Sequence, residues 1–134
     1  VLAVLAREQR EGRLAIRPAL VNNGGETLTP ETRRLIESAF GAPVSDGYGA
    51  SEMILLAHDC GHGSKHVHAD WAILEPVDAD RRPVAPGEPS ATVLLTVLAN
   101  RVQPIIRYDL GDSVVLHADP CPCGSRLPAI DVVG

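Results

Sequence analysis

The sequence predicts a mixed α/β fold: a parallel β-α-β layer followed by a small, mainly antiparallel β half. Three features carry the prediction. Helical periodicity is confined to the first third of the chain. A short apolar run precedes the second helix and another follows it. Beyond Met53 the apolar stretches are short and set apart by turn-forming residues.

Leu2 to Glu11 reads as a helix, with Leu2, Leu5 and Ala6 on one face, Arg7, Glu8 and Arg10 on another, and Gly12 as its stop. Leu14 to Val21 is short and apolar, as a buried strand would be, and runs into the loop Asn22-Asn23-Gly24-Gly25-Glu26. Thr29 is placed to cap a second helix with Pro30 in its first turn. Leu35, Ile36, Ala39 and Phe40 form the apolar face of that helix, and Gly41 ends it. Pro43 to Asp46 opens the next strand. This order implies parallel strands, whose carboxyl ends are where ligands sit in open sheets.

Val67 to Pro76, Thr92 to Leu98, Pro104 to Tyr108 and Ser113 to His117 are the strands expected in the second half, parted by turn-rich segments. The expected halves are 1–59, α/β, and 60–134, β-rich, within one domain. Phe40 and Trp71 are expected in the core or half-buried, and Arg81-Arg82-Pro83 in a solvated turn. Glu31 and Arg34 read as a helix-surface pair. His58 and His117 have no partner that the sequence names.

A chain of 134 residues with 45% hydrophobic content is enough for one domain with a core. Its 12 basic and 17 acidic residues give a net charge of −5, and the basic ones are scattered, which argues against a nucleic-acid surface. No apolar run approaches the roughly 20 residues of a membrane span. The opening Val-Leu-Ala-Val-Leu-Ala is too short for a signal peptide, so the cytoplasm is the expected compartment. Three cysteines do not suit a disulfide framework. The sequence starts without Met inside a helical pattern and stops in what reads as a strand, so a segment of a longer protein is expected.

Three stretches suggest chemistry. In Asn22 to Glu26 a strand enters a paired-glycine loop before a helix, where Gly24 and Gly25 let backbone approach a flat or anionic ligand. The spacing is neither that of a dinucleotide fold nor that of a phosphate-cradling loop with its Lys, and an ordinary strand-to-helix turn is the simpler alternative. In Asp46-Gly47-Tyr48-Gly49-Ala50-Ser51-Glu52 the ring stands between glycines, with room to stack on a planar group. Ser51 offers a hydroxyl to a phosphoryl oxygen, and Glu52 offers a hard oxygen to Mg²⁺. A strand end with a buried Tyr and a solvated Glu fits the same residues. In Ile105 to Asp112, Gly111 turns the chain to present Asp112, a carboxylate suited to the vicinal diol of a ribose. An Asp closing a turn is the alternative.

Together, in this order and at these separations, the three stretches resemble the adenylate-forming acid–coenzyme A ligases, and within them the phenylacetate–coenzyme A ligase branch. The resemblance covers essentially the whole chain and implies part of those enzymes' large AMP-binding domain. It assigns Gly24, Gly25 and Glu26 to the loop lining the adenine and acid pocket, and Asp46, Gly47 and Tyr48 to the adenine, with the Tyr ring stacking on it. Ser51 would touch the α-phosphate, Glu52 would serve Mg²⁺, and Asp112 would bind the ribose hydroxyls. Arg107 receives no contact. The implied reaction makes an acyl-adenylate from a carboxylate and ATP, then a thioester with coenzyme A. The implied partners are a small carboxylic acid, ATP and coenzyme A, with a homodimer as a further possibility. Two family parts do not occur in this sequence: the Ser/Thr/Gly-rich phosphate loop with its Lys, and the small C-terminal domain with the adenylation lysine. The chain alone is expected to be inactive.

Cys60 opens Cys-Gly-His-Gly-Ser-Lys-His-Val-His, while Cys121 and Cys123 lie in Pro-Cys-Pro-Cys-Gly. Three thiols and one imidazole would close a tetrahedral, structural Zn²⁺ site. The resemblance favours His66 as the fourth ligand, with His62 next and His68 also near. Reduced thiols packed as small hydrophobes are the plainer reading, and a Cys121–Cys123 disulfide would be strained. Two rival functions stand beside the ligase: an adenylating enzyme that hands its acyl group to a carrier protein or an amine, and a non-catalytic, zinc-stapled binding module.

Overall fold

The computed structural model describes residues 1–134, and its internal contacts divide between Gly47 and Tyr48. In the first unit the helices are α1 (Leu2–Arg10) and α2 (Pro30–Phe40); the strands are β1 (Val21–Asn23) and the start of β2 (Val44–Ala50). Helix α2 begins as its sequence requires. Thr29 is extended, its hydroxyl accepts from the Thr32 N–H at 3.2 Å, and Pro30 follows where no N–H is needed. Gly41 ends it at φ 63°, returning its N–H to the Glu37 carbonyl. The Glu31–Arg34 pair forms on the exposed surface.

Strands β1 and β2 pair in parallel, with Val21 opposite Val44 and Asn23 opposite Asp46, so the β-α-β layer forms as read. Ala6, Val21, Ile36, Phe40, Ala42 and Val44 make the unit's core. The strand itself is shorter than expected: of Leu14 to Val21 only Val21 is in it. Pro18 has no N–H for a ladder. The Gln9 amide both accepts from the Ile16 N–H and donates to the Ile16 carbonyl, so those backbone groups are satisfied locally.

In the second unit, β3 (Met53–Asp59), β4 (Lys65–Val67), β9 (Ala129–Val132) and β8 (Val114–Leu116) lie side by side in that order, antiparallel throughout. A second antiparallel sheet holds β5 (Ala72–Val77), β6 (Thr92–Val97) and β7 (Tyr108–Asp109). Tyr48, Leu56, Ala57, Val67, Ala72, Val93, Leu95, Val114 and Ile130 form the core. The expected strand from Val67 to Pro76 is broken in two. The N–H groups of Trp71 and Ala72 both return to the His68 carbonyl in a turn, which leaves Trp71 half exposed rather than packed. The Pro104–Tyr108 strand shrinks to Tyr108–Asp109, since Pro104 lacks a donor and Arg107 sits at φ 49°.

The end of β2 turns back through Ser51-Glu52 into β3, and Gly49 is where the two strands come closest. A Cβ there would lie 1.9 Å from the Ile54 carbonyl oxygen, a backbone atom that cannot step aside. Gly49→Ala is therefore expected to destabilise the β-rich unit by about 3 kcal/mol, the upper end of ordinary overpacking costs, read as a lowered unfolding midpoint in urea.

Candidate functional site

In the first unit the carboxyl end of β1 and the stretch of β2 beside it carry a tied loop. The Asn23 amide donates to the Asp46 carboxylate at 2.6 Å and to the Glu26 carbonyl at 2.8 Å, which folds Gly24-Gly25-Glu26 back over the strand end. Gly25 takes φ 74°, a conformation that favours glycine. A Cβ on Gly24 would only graze the Gly47 carbonyl oxygen, at 4.0 Å. Gly24, Gly25 and Glu26 are exposed, while Asp46 and Gly47 are half-buried. This is bare backbone flanked by carboxylates. Asn23 is buried and organises it, a role unassigned by the sequence reading; an Asn just before paired glycines, apt to bond backbone nearby, was its only signal.

In the second unit Tyr48 and Asp112 meet. The Tyr48 hydroxyl donates to Asp112 Oδ2 at 2.8 Å, and the ring is 8% exposed, packed in the core rather than held open for the stacking on adenine that the resemblance implies. Burial first, and then the neighbouring carboxylate, hold the phenol far above its ordinary pKa, so it stays a donor. Asp112 keeps Oδ1 for another partner. Gly111, at φ 75°, makes the turn that presents it and donates its N–H to Thr92 Oγ1 and Asp109 Oδ1. Of the two glycines beside Tyr48, Gly49 serves the approach to β3.

Ser51 is exposed and Glu52 half-buried in the turn between β2 and β3. The Glu52 carboxylate nearby raises the pKa of the Tyr108 phenol, which therefore stays protonated. Arg107 itself pairs with Glu75 at 3.3 Å.

The thiols converge. The ligand atoms of Cys60, His66, Cys121 and Cys123 all lie within 4.8 Å of one another. Cys60 Sγ is 3.6 Å from Cys121 Sγ, and His66 Nε2 is 3.1 Å from Cys123 Sγ. Two sulfurs in a zinc tetrahedron with Zn–S of about 2.3 Å would stand about 3.8 Å apart. Sheet register builds the cluster. Strand β9 pairs Ala129 with His66, so the segment just before β9, which holds Cys121 and Cys123, is delivered to the imidazole. His66 is fully buried, and its Nδ1 is 3.0 Å from the Leu127 carbonyl. A carbonyl only accepts, so Nδ1 carries the proton and Nε2 turns its lone pair to the sulfurs, the usual backing of a metal-bound histidine. The donor set and its geometry fit Zn²⁺.

Neither His62 nor His68 belongs to this group. His62 is exposed, and its Nδ1 is 3.3 Å from the Cys60 carbonyl. His68 lies two residues along the chain from His66, about 6.6 Å in extended backbone. Burial pushes the Cys60 thiol up, but hydrogen bonds with the His62 backbone, Cys121, His66 and Cys123 outweigh it and hold the thiol at about 7. His117 gains partners that the sequence left unnamed: its Nε2 lies 2.9 Å from Asp131 Oδ2 and its Nδ1 lies 3.4 Å from Ser64 Oγ. No helix is long and apolar enough to cross a membrane.

No family model matches this chain, and no curated protein sequence does. Among solved structures, its neighbours are acyl- and aryl-coenzyme A ligases of the adenylate-forming superfamily, and its two-sheet α/β fold is theirs. A 2-hydroxyisobutyryl-CoA ligase, solved in an open conformation in complex with 2-HIB-AMP and CoA, matches with a TM-score of 0.82 and 28% identity over 95% of this chain. This chain spans 30% of that ligase. Two more distant matches share the fold. An acyl-CoA synthetase from Brucella canis has a TM-score of 0.64 and 22% identity, over 98% of this chain and 26% of its own. A benzoate CoA ligase from Burkholderia xenovorans has a TM-score of 0.59 and 21% identity, over 92% and 26%.

Proposed function

We propose that this chain is the nucleotide-binding segment of an ATP-dependent acyl- or aryl-coenzyme A ligase of the phenylacetate–coenzyme A ligase kind. One observation carries the reading. The Tyr48–Asp112 hydrogen bond joins two motifs 64 positions apart, each of which resembles an adenosine-binding motif of those ligases. The likeness to a ligase solved with an acyl-adenylate and CoA supports it.

In the first step a carboxylate oxygen attacks the α-phosphorus of ATP, pyrophosphate leaves, and an acyl-adenylate remains. The thiol of coenzyme A then attacks the acyl carbon and AMP leaves. Asp112 accepts from the ribose hydroxyls through the oxygen that Tyr48 does not use, and Tyr48 keeps the carboxylate oriented. The exposed backbone of Gly24 and Gly25, with Glu26, Asp46 and Gly47, lines the adenine and acid side. Ser51 donates to an α-phosphate oxygen. Glu52 offers Mg²⁺ a hard, half-buried oxygen, and that cation, when bound, offsets phosphate charge. Zn²⁺ held by Cys60, His66, Cys121 and Cys123 is structural here, since four protein ligands leave it no position for substrate. The reading includes a cytoplasmic location and a homodimer.

Pyrophosphate exchange tests it. The longer polypeptide that carries this segment is expected to exchange label into ATP with an aryl acid such as phenylacetate, then to release a coenzyme A thioester, while the 134-residue chain alone does neither. Exchange that needs an aliphatic acid would move the substrate class, and no exchange with any acid would overturn the enzyme reading.

A further inference from the structure

We propose that Cys60 and Cys121 are a hydroperoxide-sensitive modification site, whose oxidation to a disulfide expels the zinc; this rests on the structural-zinc reading above. The positions of the three thiols single out this pair. Cys60 is half-buried, so a small oxidant reaches it, and Cys121 is buried behind it with its sulfur 3.6 Å away. Closing that gap to a covalent S–S bond takes about 1.5 Å of movement. Both thiols lie outside the strand ladders, Cys60 in the turn from β3 to β4 and Cys121 in residues 117–128 between β8 and β9, so each can shift by part of that distance. Each turn is closed by one backbone hydrogen bond, from the Cys60 N–H to the Ser64 carbonyl and from the Gly124 N–H to the Cys121 carbonyl.

The third thiol is the poorer partner. Cys123 is exposed, its sulfur faces His66 Nε2 and accepts from the Ser125 N–H, and a bridge to Cys121 would span one intervening residue. The chemistry balances with the hydroperoxide as oxidant. The Cys60 thiolate attacks a peroxide oxygen, the S–O bond forms as the O–O bond breaks, and the departing oxygen leaves as water or an alcohol after taking a proton. The Cys121 thiolate then attacks the sulfenic sulfur, the S–S bond forms, the S–O bond breaks, and hydroxide leaves and is protonated. Two electrons pass from the two sulfurs to the peroxide. The metal is left with His66 and Cys123, too few ligands to hold it against water.

Zinc release and disulfide mapping test the proposal together. Reduced, zinc-loaded protein is titrated with hydrogen peroxide, released zinc is followed with a chromogenic chelator, and the products are mapped by mass spectrometry. Zinc leaving one-for-one with a Cys60–Cys121 link, and returning after dithiothreitol and added zinc, is the expected result. Because Cys60→Ser removes a ligand as well as a thiol, the companion variant is Cys123→His, which retains four ligands and is expected to lose its zinc through the same link. Zinc that stays bound while peroxide is consumed, or leaves with another linkage or with sulfinic acids only, overturns the proposal. Reduced protein that holds no zinc overturns the metal reading alone, and the mapping still decides the thiol pair.

Discussion

Stripping the zinc with a chelator is expected to lower the melting temperature of the β-rich unit by more than about 10 °C. Structural zinc contributes roughly 10–16 kcal/mol to the folding of small zinc-finger peptides, as much as a whole domain's ordinary margin of about 5–15 kcal/mol. Here the unit also has its own core around Leu56, Leu95 and Ile130, so the effect is a large shift rather than complete unfolding. A loss of only about 2 kcal/mol would move the midpoint of a unit this size by about 8–16 °C. The ligands are not equivalent. His66→Ala removes a fully buried ring and leaves the Leu127 carbonyl without its donor, whereas Cys123→Ser alters an exposed position. The expected order of destabilisation is His66→Ala, then Cys121→Ser, then Cys123→Ser, with His62→Ala unchanged because that ring stands outside the cluster. Calorimetry with and without chelator checks it, and equal melting temperatures would remove zinc from the account.

The second large effect is expected at Asp112. Asp112→Ala in the longer polypeptide should lower kcat/KM for ATP in pyrophosphate exchange by about 100-fold. That corresponds to roughly 3 kcal/mol, the upper value for a hydrogen bond to a charged group. Tyr48→Phe keeps the ring and removes only the hydroxyl that holds the carboxylate, so a loss of about tenfold, chiefly in KM, is expected. The two losses should not add in the double variant, because the hydroxyl acts through the carboxylate. Full additivity would mean that Tyr48 touches the nucleotide independently of Asp112, and wild-type kinetics in Asp112→Ala would refute the ribose assignment.

Much of this was legible because its causes are local. Thr29 capping Thr32, Pro30 in the first turn and left-handed Gly41 define α2 within a dozen residues. The parallel pairing of β1 with β2 likewise follows from the short run on either side of that helix. Local patterns mislead where side chains take over backbone groups. Gln9 satisfies Ile16, so Leu14 to Leu20 has less need of a ladder, and the turn at His68 divides what reads as one strand.

By itself the sequence determined the fold class, the capped helix, the residues rich enough in chemistry to matter and the set of soft ligands, because caps, turns and side-chain types act over a few positions. Only the tertiary structure decided that His66 rather than His62 or His68 faces the sulfurs and that Tyr48 holds Asp112. Those pairings join residues 57 and 64 positions apart. They depend on strand register and loop closure, which no local pattern encodes.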